Sequence, residues 1–149
     1  MRPNLTLLSG LMELELDKLH AKQQKREFRD YRGFGKSRTA LYTYDGNHPD
    51  IECEVVKVNS NLTDQIHLHK DACAYIRIIG EAEGFENPRN ASYFLGTTWM
   101  PAKFNDALLI PPQTPHGFSV SPGGILYFVS VQSPPIVGEH HEDYIKVRL

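Results

Sequence analysis

Three histidines in the sequence have the spacing of a metal site. His67 and His69 flank Leu68, and His116 follows the turn segment Pro111-Pro112-Gln113-Thr114-Pro115. Alternate side chains of an extended strand share a face, so His67 and His69 project together while Leu68 points away. A third imidazole on a neighbouring strand would complete a set of nitrogen ligands and leave coordination positions open. The pattern predicts a metal site at His67, His69 and His116.

The bulk composition limits the classes of function. The chain has 149 residues, of which 40% are hydrophobic and 23% charged, as expected for one globular domain. Its net charge of -2 gives no electrostatic reason to expect nucleic-acid binding. The apolar cluster near the N-terminus is interrupted by polar residues and is too short to span a bilayer, so we expect no membrane role and a cytoplasmic protein.

The periodicity divides the chain into two parts. Residues 1–37 form an expected helical extension, because Leu8, Leu11, Met12, Leu16 and Leu19 give an apolar stripe with helical spacing. Residues 38–149 contain short β-rich runs separated by turn clusters, which predicts an all-β antiparallel sandwich or barrel of the jelly-roll type. The expected strands include Ser92–Trp99, Gly117–Val120 and Ile125–Gln132 as three separate elements.

With these motifs the chain resembles a single-domain cupin over about residues 38 to 135. The first cupin motif runs from a glycine through HxH and a glutamate to a second glycine, and its positions are taken here by Asn61, His67, His69, Cys73 and Gly80. The second motif is matched by Asn105, Pro111, Pro112 and His116, with Gln113 where a glycine is usual. Asn in place of two glycines is a mild change, because Asn tolerates left-handed backbone conformations.

The resemblance implies a cupin-type jelly-roll barrel that holds one divalent transition metal. A three-histidine set favours Fe(II), with Zn, Ni or Cu as alternatives. By similarity to cupin dioxygenases, we expect a non-haem Fe(II) dioxygenase acting on a small molecule that could be anionic. The alternatives are a non-redox lyase, isomerase or dehydratase, and a non-catalytic metal- or ligand-binding cupin.

Cys73 stands where cupins commonly have a glutamate ligand. Its thiolate could bind the metal, or the thiol could be a buried bystander that packs as a small hydrophobe. We favour the bystander.

The strand that follows Cys73 has two possible registers. If Cys73 faces the metal, Tyr75 and Arg77 share its face and become candidate catalytic residues, Tyr75 in proton transfer and Arg77 as an anchor for a substrate anion. In the other register the alternating residues Ala74, Ile76 and Ile78 point inward and Arg77 is on a solvated surface.

The leucine stripe of the extension bears on assembly. We expect a homodimer with that segment or a sheet edge at its interface, and the alternative is that the stripe covers the chain's own barrel.

Overall fold

The computed structural model describes residues 9–13, 16, 38–42, 52–59, 62–63, 66–133 and 144–148. A helical segment at residues 9–13 and 16 precedes the strands. The described strands are β1 (Arg38–Tyr42), β2 (Glu52–Val58), β3 (Leu62–Thr63), β4 (His67–His69), β5 (Cys73–Ile79), β6 (Arg89–Leu95), β7 (Thr98–Pro101), β8 (Ala107–Ile110), β9 (His116–Ser133) and β10 (Tyr144–Lys146). No helix among the described residues is long and apolar enough to cross a lipid bilayer.

The long strand β9 belongs to both sheets of the fold. Its C-terminal half lies between β2 and β5, in a sheet with the order β1-β2-β9-β5-β8. Its N-terminal half pairs with β3 and β4 on one side and with β6 on the other, and β10 and β7 extend this second sheet. All of these pairings are antiparallel.

A bulge in β9 lets one strand serve both sheets. The pairing of β6 with β9 moves from Ala91 opposite Val120 to Arg89 opposite Ile125, so four residues of β9 face a single residue of β6. Gly123 has a φ of +80°, which a glycine adopts without strain. Extra residues of this kind bend a strand and increase its twist, and the chain passes here from one sheet to the other.

The main core lies between the two sheets. Phe118 and Phe128, from the two halves of β9, stack with ring centroids 4.5 Å apart. Alternate residues of the surrounding strands complete this inner cluster: Val56, Val58, Ala74, Ile76, Ile78, Ala91, Tyr93, Leu108, Ile110, Val120 and Leu126.

A second apolar cluster covers the outer face of the β2-β9-β5 sheet. Met12 and Leu16 of the helical segment are buried there against Val55 and Val129, among other residues. Arg77 of β5 also forms an ion pair with Glu13 of the helical segment, at 3.3 Å. The apolar stripe of this segment therefore covers the chain's own sheet, at least at Met12 and Leu16.

The expected fold class, an antiparallel cupin-type β-barrel, is confirmed. Two strand boundaries were wrong. The run Ser92–Trp99 is a hairpin, because Gly96 adopts a φ of +71° and reverses the chain between β6 and β7. The expected strands at Gly117–Val120 and Ile125–Gln132 are one element, because β6 pairs with β9 on both sides of the bulge.

Replacing Met12 by alanine tests what the helical segment covers. Met12 is fully buried, so Met12→Ala should lower the free energy of unfolding by about 2–5 kcal/mol, the usual cost of such a cavity. Glu13→Ala, on the exposed side of the segment, should cost little. Chemical denaturation at several protein concentrations measures both effects. If the loss for Met12→Ala depends on protein concentration, the segment lies at an interface between subunits instead.

Candidate metal centre

The three histidines converge on the inner surface of the barrel. His67 and His69 lie on β4, and the backbone of His67 pairs with that of His116 at the start of β9. Each imidazole offers one ligand nitrogen, and these three atoms all lie within 4.8 Å of one another. The ring centroids are 4.3–5.1 Å apart, and all three side chains are buried. The sequence-based prediction of this cluster agrees with its geometry.

The ring of His116 is oriented by a backbone contact. Its Nδ1 lies 2.9 Å from the carbonyl oxygen of Thr114. A carbonyl oxygen can only accept, so Nδ1 carries the hydrogen and donates it, and the neutral ring has its lone pair on Nε2. Histidines that bind metals commonly have this second contact, which fixes the tautomer and the direction of the free nitrogen. The donor set therefore fits a divalent transition metal.

The turn before β9 connects the two histidine-bearing strands. The backbone N–H of Gln113 donates to the carbonyl oxygen of His69 at 2.6 Å. Gln113 has a φ of +63°, the left-handed conformation expected at a position where cupins usually have glycine. Asn105, at another such position, has a φ of +70°, so the expectation that this Asn tolerates the left-handed conformation of a motif glycine is confirmed. Asn61 lies outside the described residues.

The candidate catalytic residues Tyr75 and Arg77 do not line this site. The structure has the register in which Ala74, Ile76 and Ile78 face the inner core. Tyr75 packs at the edge of the outer cluster. Arg77 donates to Asn105 and Tyr75, in addition to its ion pair with Glu13. The expectation that this pair faces the pocket is thus corrected: the alternating apolar residues occupy the core face, and the guanidinium lies on the opposite face with the Glu13 carboxylate as its partner.

Cys73 also points away from the histidines. It is buried in the outer cluster, with Val55, Ile79 and Val131. Burial raises the pKa of the Cys73 thiol, which favours the protonated form over the thiolate that a metal requires. Neither cysteine forms a disulfide with the other. This geometry supports the bystander interpretation.

Three polar residues that the sequence analysis missed lie on the inner wall formed by β2 and β9. Glu54 and Ser130 are opposite one another and fully buried, and Gln132 follows on the same face of β9. Gln132 Nε2 donates to Ser130 Oγ at 2.9 Å and approaches Glu54 Oε1 at 3.5 Å. We call these residues the polar wall.

A sequence signal for the polar wall existed but was ambiguous. In the segment Glu52–Val58, Glu54 alternates with Val56 and Val58, which would place a carboxylate on an apolar face. The opposite face carries Cys53 and Val55, so both faces of the strand appear buried in the sequence. Alternation alone could not show which face was inner.

Comparison with known proteins identifies solved structures with a similar fold. No protein-family model matches the sequence, and no curated protein matches it. The polyketide cyclase RemF from Streptomyces resistomycificus superimposes with a TM-score of 0.65 at 20% identity, covering 86% of each chain. The nucleoside dehydratase Pac13 gives 0.57 at 15% identity over 86% of this chain and 93% of its own. A cupin-2 domain protein from Rhodospirillum rubrum gives 0.55 at 17% identity, over 76% and 66% of the two chains.

Serine substitution tests the position of Cys73. Because the thiol points into the outer cluster, Cys73→Ser should retain bound metal and lose about 1–3 kcal/mol of stability through the buried hydroxyl. Cys53→Ser, in the same cluster, is the matched control and should behave alike. Metal analysis and thermal unfolding measure these effects, and cobalt-loaded protein should lack a thiolate charge-transfer band. Loss of metal in Cys73→Ser alone would identify the thiol as a ligand.

Proposed function

We propose that this chain, which has the cupin fold, is a metal-dependent enzyme that acts on a small organic molecule. The main support for this proposal is that the ligand nitrogens of His67, His69 and His116 lie within 4.8 Å of one another on the inner face of the barrel. The contact between His116 Nδ1 and the Thr114 carbonyl supports it, because that contact leaves Nε2 available as a ligand. Three buried imidazoles at this spacing are unusual, because most fully buried side chains are apolar.

The ligand set indicates which metals suit the site. Three imidazoles favour Fe(II), Zn, Ni or Cu over the oxygen-preferring Mg or Ca. Among the described His, Cys, Asp and Glu residues, no carboxylate or thiol joins the three histidines within 4.8 Å. When bound, the ion would supply Lewis-acid chemistry, with open positions for a substrate oxygen.

The protein's own residues prepare the rest of the site. Phe118 and Val120 follow His116 on the inner face of β9 and give the interior an apolar surface that limits water. The pairing of β4 with β9 and the bond from Gln113 to His69 hold the histidines on rigid backbone. A fixed donor set in a dry environment strengthens electrostatic interactions with a bound substrate.

We infer that the reaction is a non-redox one, such as an elimination, cyclisation or isomerisation. The similar folds support this choice, because RemF is described as a polyketide cyclase and Pac13 as a nucleoside dehydratase. A dioxygenase, the first expectation from the sequence, is the second candidate. Three neutral ligands favour it, because they leave room for substrate and O₂ together.

Alanine substitution of each histidine tests the metal site. His67→Ala, His69→Ala and His116→Ala should each weaken metal binding by more than about 100-fold, since loss of even an outer contact costs 10–100-fold. Folding should persist, because the inner core supplies the stability. Leu68→Ala, between two of the histidines, is the control and should keep its metal. Calorimetric titration with Zn(II) measures the affinities; full affinity in all three variants would reject the site.

Oxygen dependence separates the two reaction classes. In a screen of small acids and ketones, protein loaded with Zn(II) or Ni(II) should turn over its substrate without air, because a Lewis-acid reaction needs no oxygen. Product analysis by mass spectrometry under anaerobic conditions measures this. The contrary result is turnover only with Fe(II), accompanied by stoichiometric oxygen consumption at an electrode, which would assign a dioxygenase.

A further inference from the structure

A lysine stands directly opposite one of the three histidines. In the pairing of β10 with β4, Lys146 is the partner of His67, and Ile145 is the partner of Leu68. Partners across an antiparallel pair project to the same face of the sheet. His67 points to the inner face, so the side chain of Lys146 starts on that face as well. Ile145 is 44% exposed, as expected for a residue on the outer face.

The hydrogen bonds of β10 show how close this pair is. The backbone N–H of Val147 donates to the carbonyl oxygen of Ile66 at 2.9 Å, so these two opposite residues form a hydrogen-bonded pair. The two kinds of pair alternate along an antiparallel ladder, and Lys146 and His67 are therefore a non-hydrogen-bonded pair. The Cα atoms of such a pair are about 4.5 Å apart, and its side chains lie closest together. The lysine ammonium, on its flexible four-carbon stem, can thus reach a ligand bound at the histidines.

Lys146 lies where solvent meets the buried histidines. Its side chain is exposed, whereas His67 is 5% exposed. Among the described strands, β10 is the last one on this side of the sheet. Within the described part of the chain, no carboxylate forms an ion pair with Lys146. Its charge is therefore available to a ligand that enters from solvent.

The charge balance of the site favours an anion. The three imidazoles are neutral ligands, and no described carboxylate or thiol joins them within 4.8 Å. A bound divalent ion would keep both of its charges, and Lys146 adds a third beside it. Positive charge that is partly removed from water is stabilised by an anion nearby. In the described strand pairings, Lys146 is the only charged residue opposite any of the three histidines, so one added charge matches the single charge of a carboxylate.

We propose that Lys146 binds a carboxylate group of the substrate at the three-histidine site, so that the substrate is a small organic acid. The ammonium donates a charge-assisted hydrogen bond to the carboxylate and holds the rest of the molecule against the histidines. This inference rests on the proposed function in taking the histidine cluster as the reaction centre. It gives Lys146 the part of anion anchor that the sequence analysis gave to Arg77, which lies on the outer face of β5.

Matched ligands separate the effect of charge from that of shape. The probes are 2-oxo acids of three to six carbons, each paired with its neutral amide. Ligand-observed NMR titration gives each dissociation constant, with Zn(II)-loaded protein and again with chelator-treated protein. Wild-type protein should bind each acid more tightly than its amide in both states. Higher ionic strength should reduce this preference, because the lysine is exposed to solvent and its charge is screened by salt.

Two substitutions of Lys146 test whether its charge causes the preference. Lys146→Met keeps most of the stem and removes the charge, so binding of the acids should weaken by about tenfold or more while binding of the amides changes little. Lys146→Arg keeps the charge and should retain most of the affinity for the acids. Lys57→Met is the matched control. It removes the same charge from the outer side of the β2-β9-β5 sheet, where Lys57 lies 5.9 Å from the centroid of the Tyr127 ring, and binding of the acids should not change.

Each contrary outcome overturns the proposal. Unchanged binding of the acids in Lys146→Met does so, as does an equal loss for acids and amides, because the lysine would then act only through the packing of β10. The absence of any acid binding by wild-type protein also counts against it. Lysines on edge strands can instead prevent association between sheets. In that case Lys146→Met would change the oligomeric state in light scattering and leave binding of the acids intact.

Failure of the proposed function is seen separately. Wild-type protein would then take up no Zn(II) in a calorimetric titration, whichever residue stands at position 146. The comparison of acids and amides with metal-free protein would still decide whether Lys146 binds a carboxylate.

Discussion

The structure depends on the bulge that carries β9 from one sheet into the other. Because β6 stays paired on both sides of it, the chain bends without breaking the sheet. Pairing with β6 resumes beyond the bulge, which matters in a barrel where unpaired backbone groups are costly. The stacked rings of Phe118 and Phe128 then lock the two halves of the strand face to face. The inner core and the candidate site are both organised around that single strand.

The candidate site combines backbone rigidity with an unusual interior polarity. The histidines are on paired strands, and the adjoining turn is held by the bond from Gln113 to His69. The polar wall is likewise on paired strands, β2 and β9. Side chains on such elements keep their positions better than side chains on loops.

The two faces of strand β5 pack against different parts of the molecule. Its inner face contributes Ala74, Ile76 and Ile78 to the core. Its outer face presents Tyr75 and Arg77, and the ion pair from Arg77 to Glu13 helps to hold the helical segment over the outer cluster. An ion pair with a well-exposed carboxylate contributes little stability by itself, so burial of Met12 and Leu16 is the main attachment of that segment.

The sequence by itself determined the antiparallel β architecture, the cluster of three histidines and the left-handed position at Asn105. These depend on local properties: the period of two in a strand, the position of a turn and the tolerance of Asn for positive φ. Tertiary structure decided which face of β5 is inner, because both faces are apolar enough to be buried and only packing against a second sheet or a helix distinguishes them. It also decided that β9 is continuous and that Glu54 meets Gln132. Those contacts join residues far apart in the sequence, and the pairing of strands brings them together.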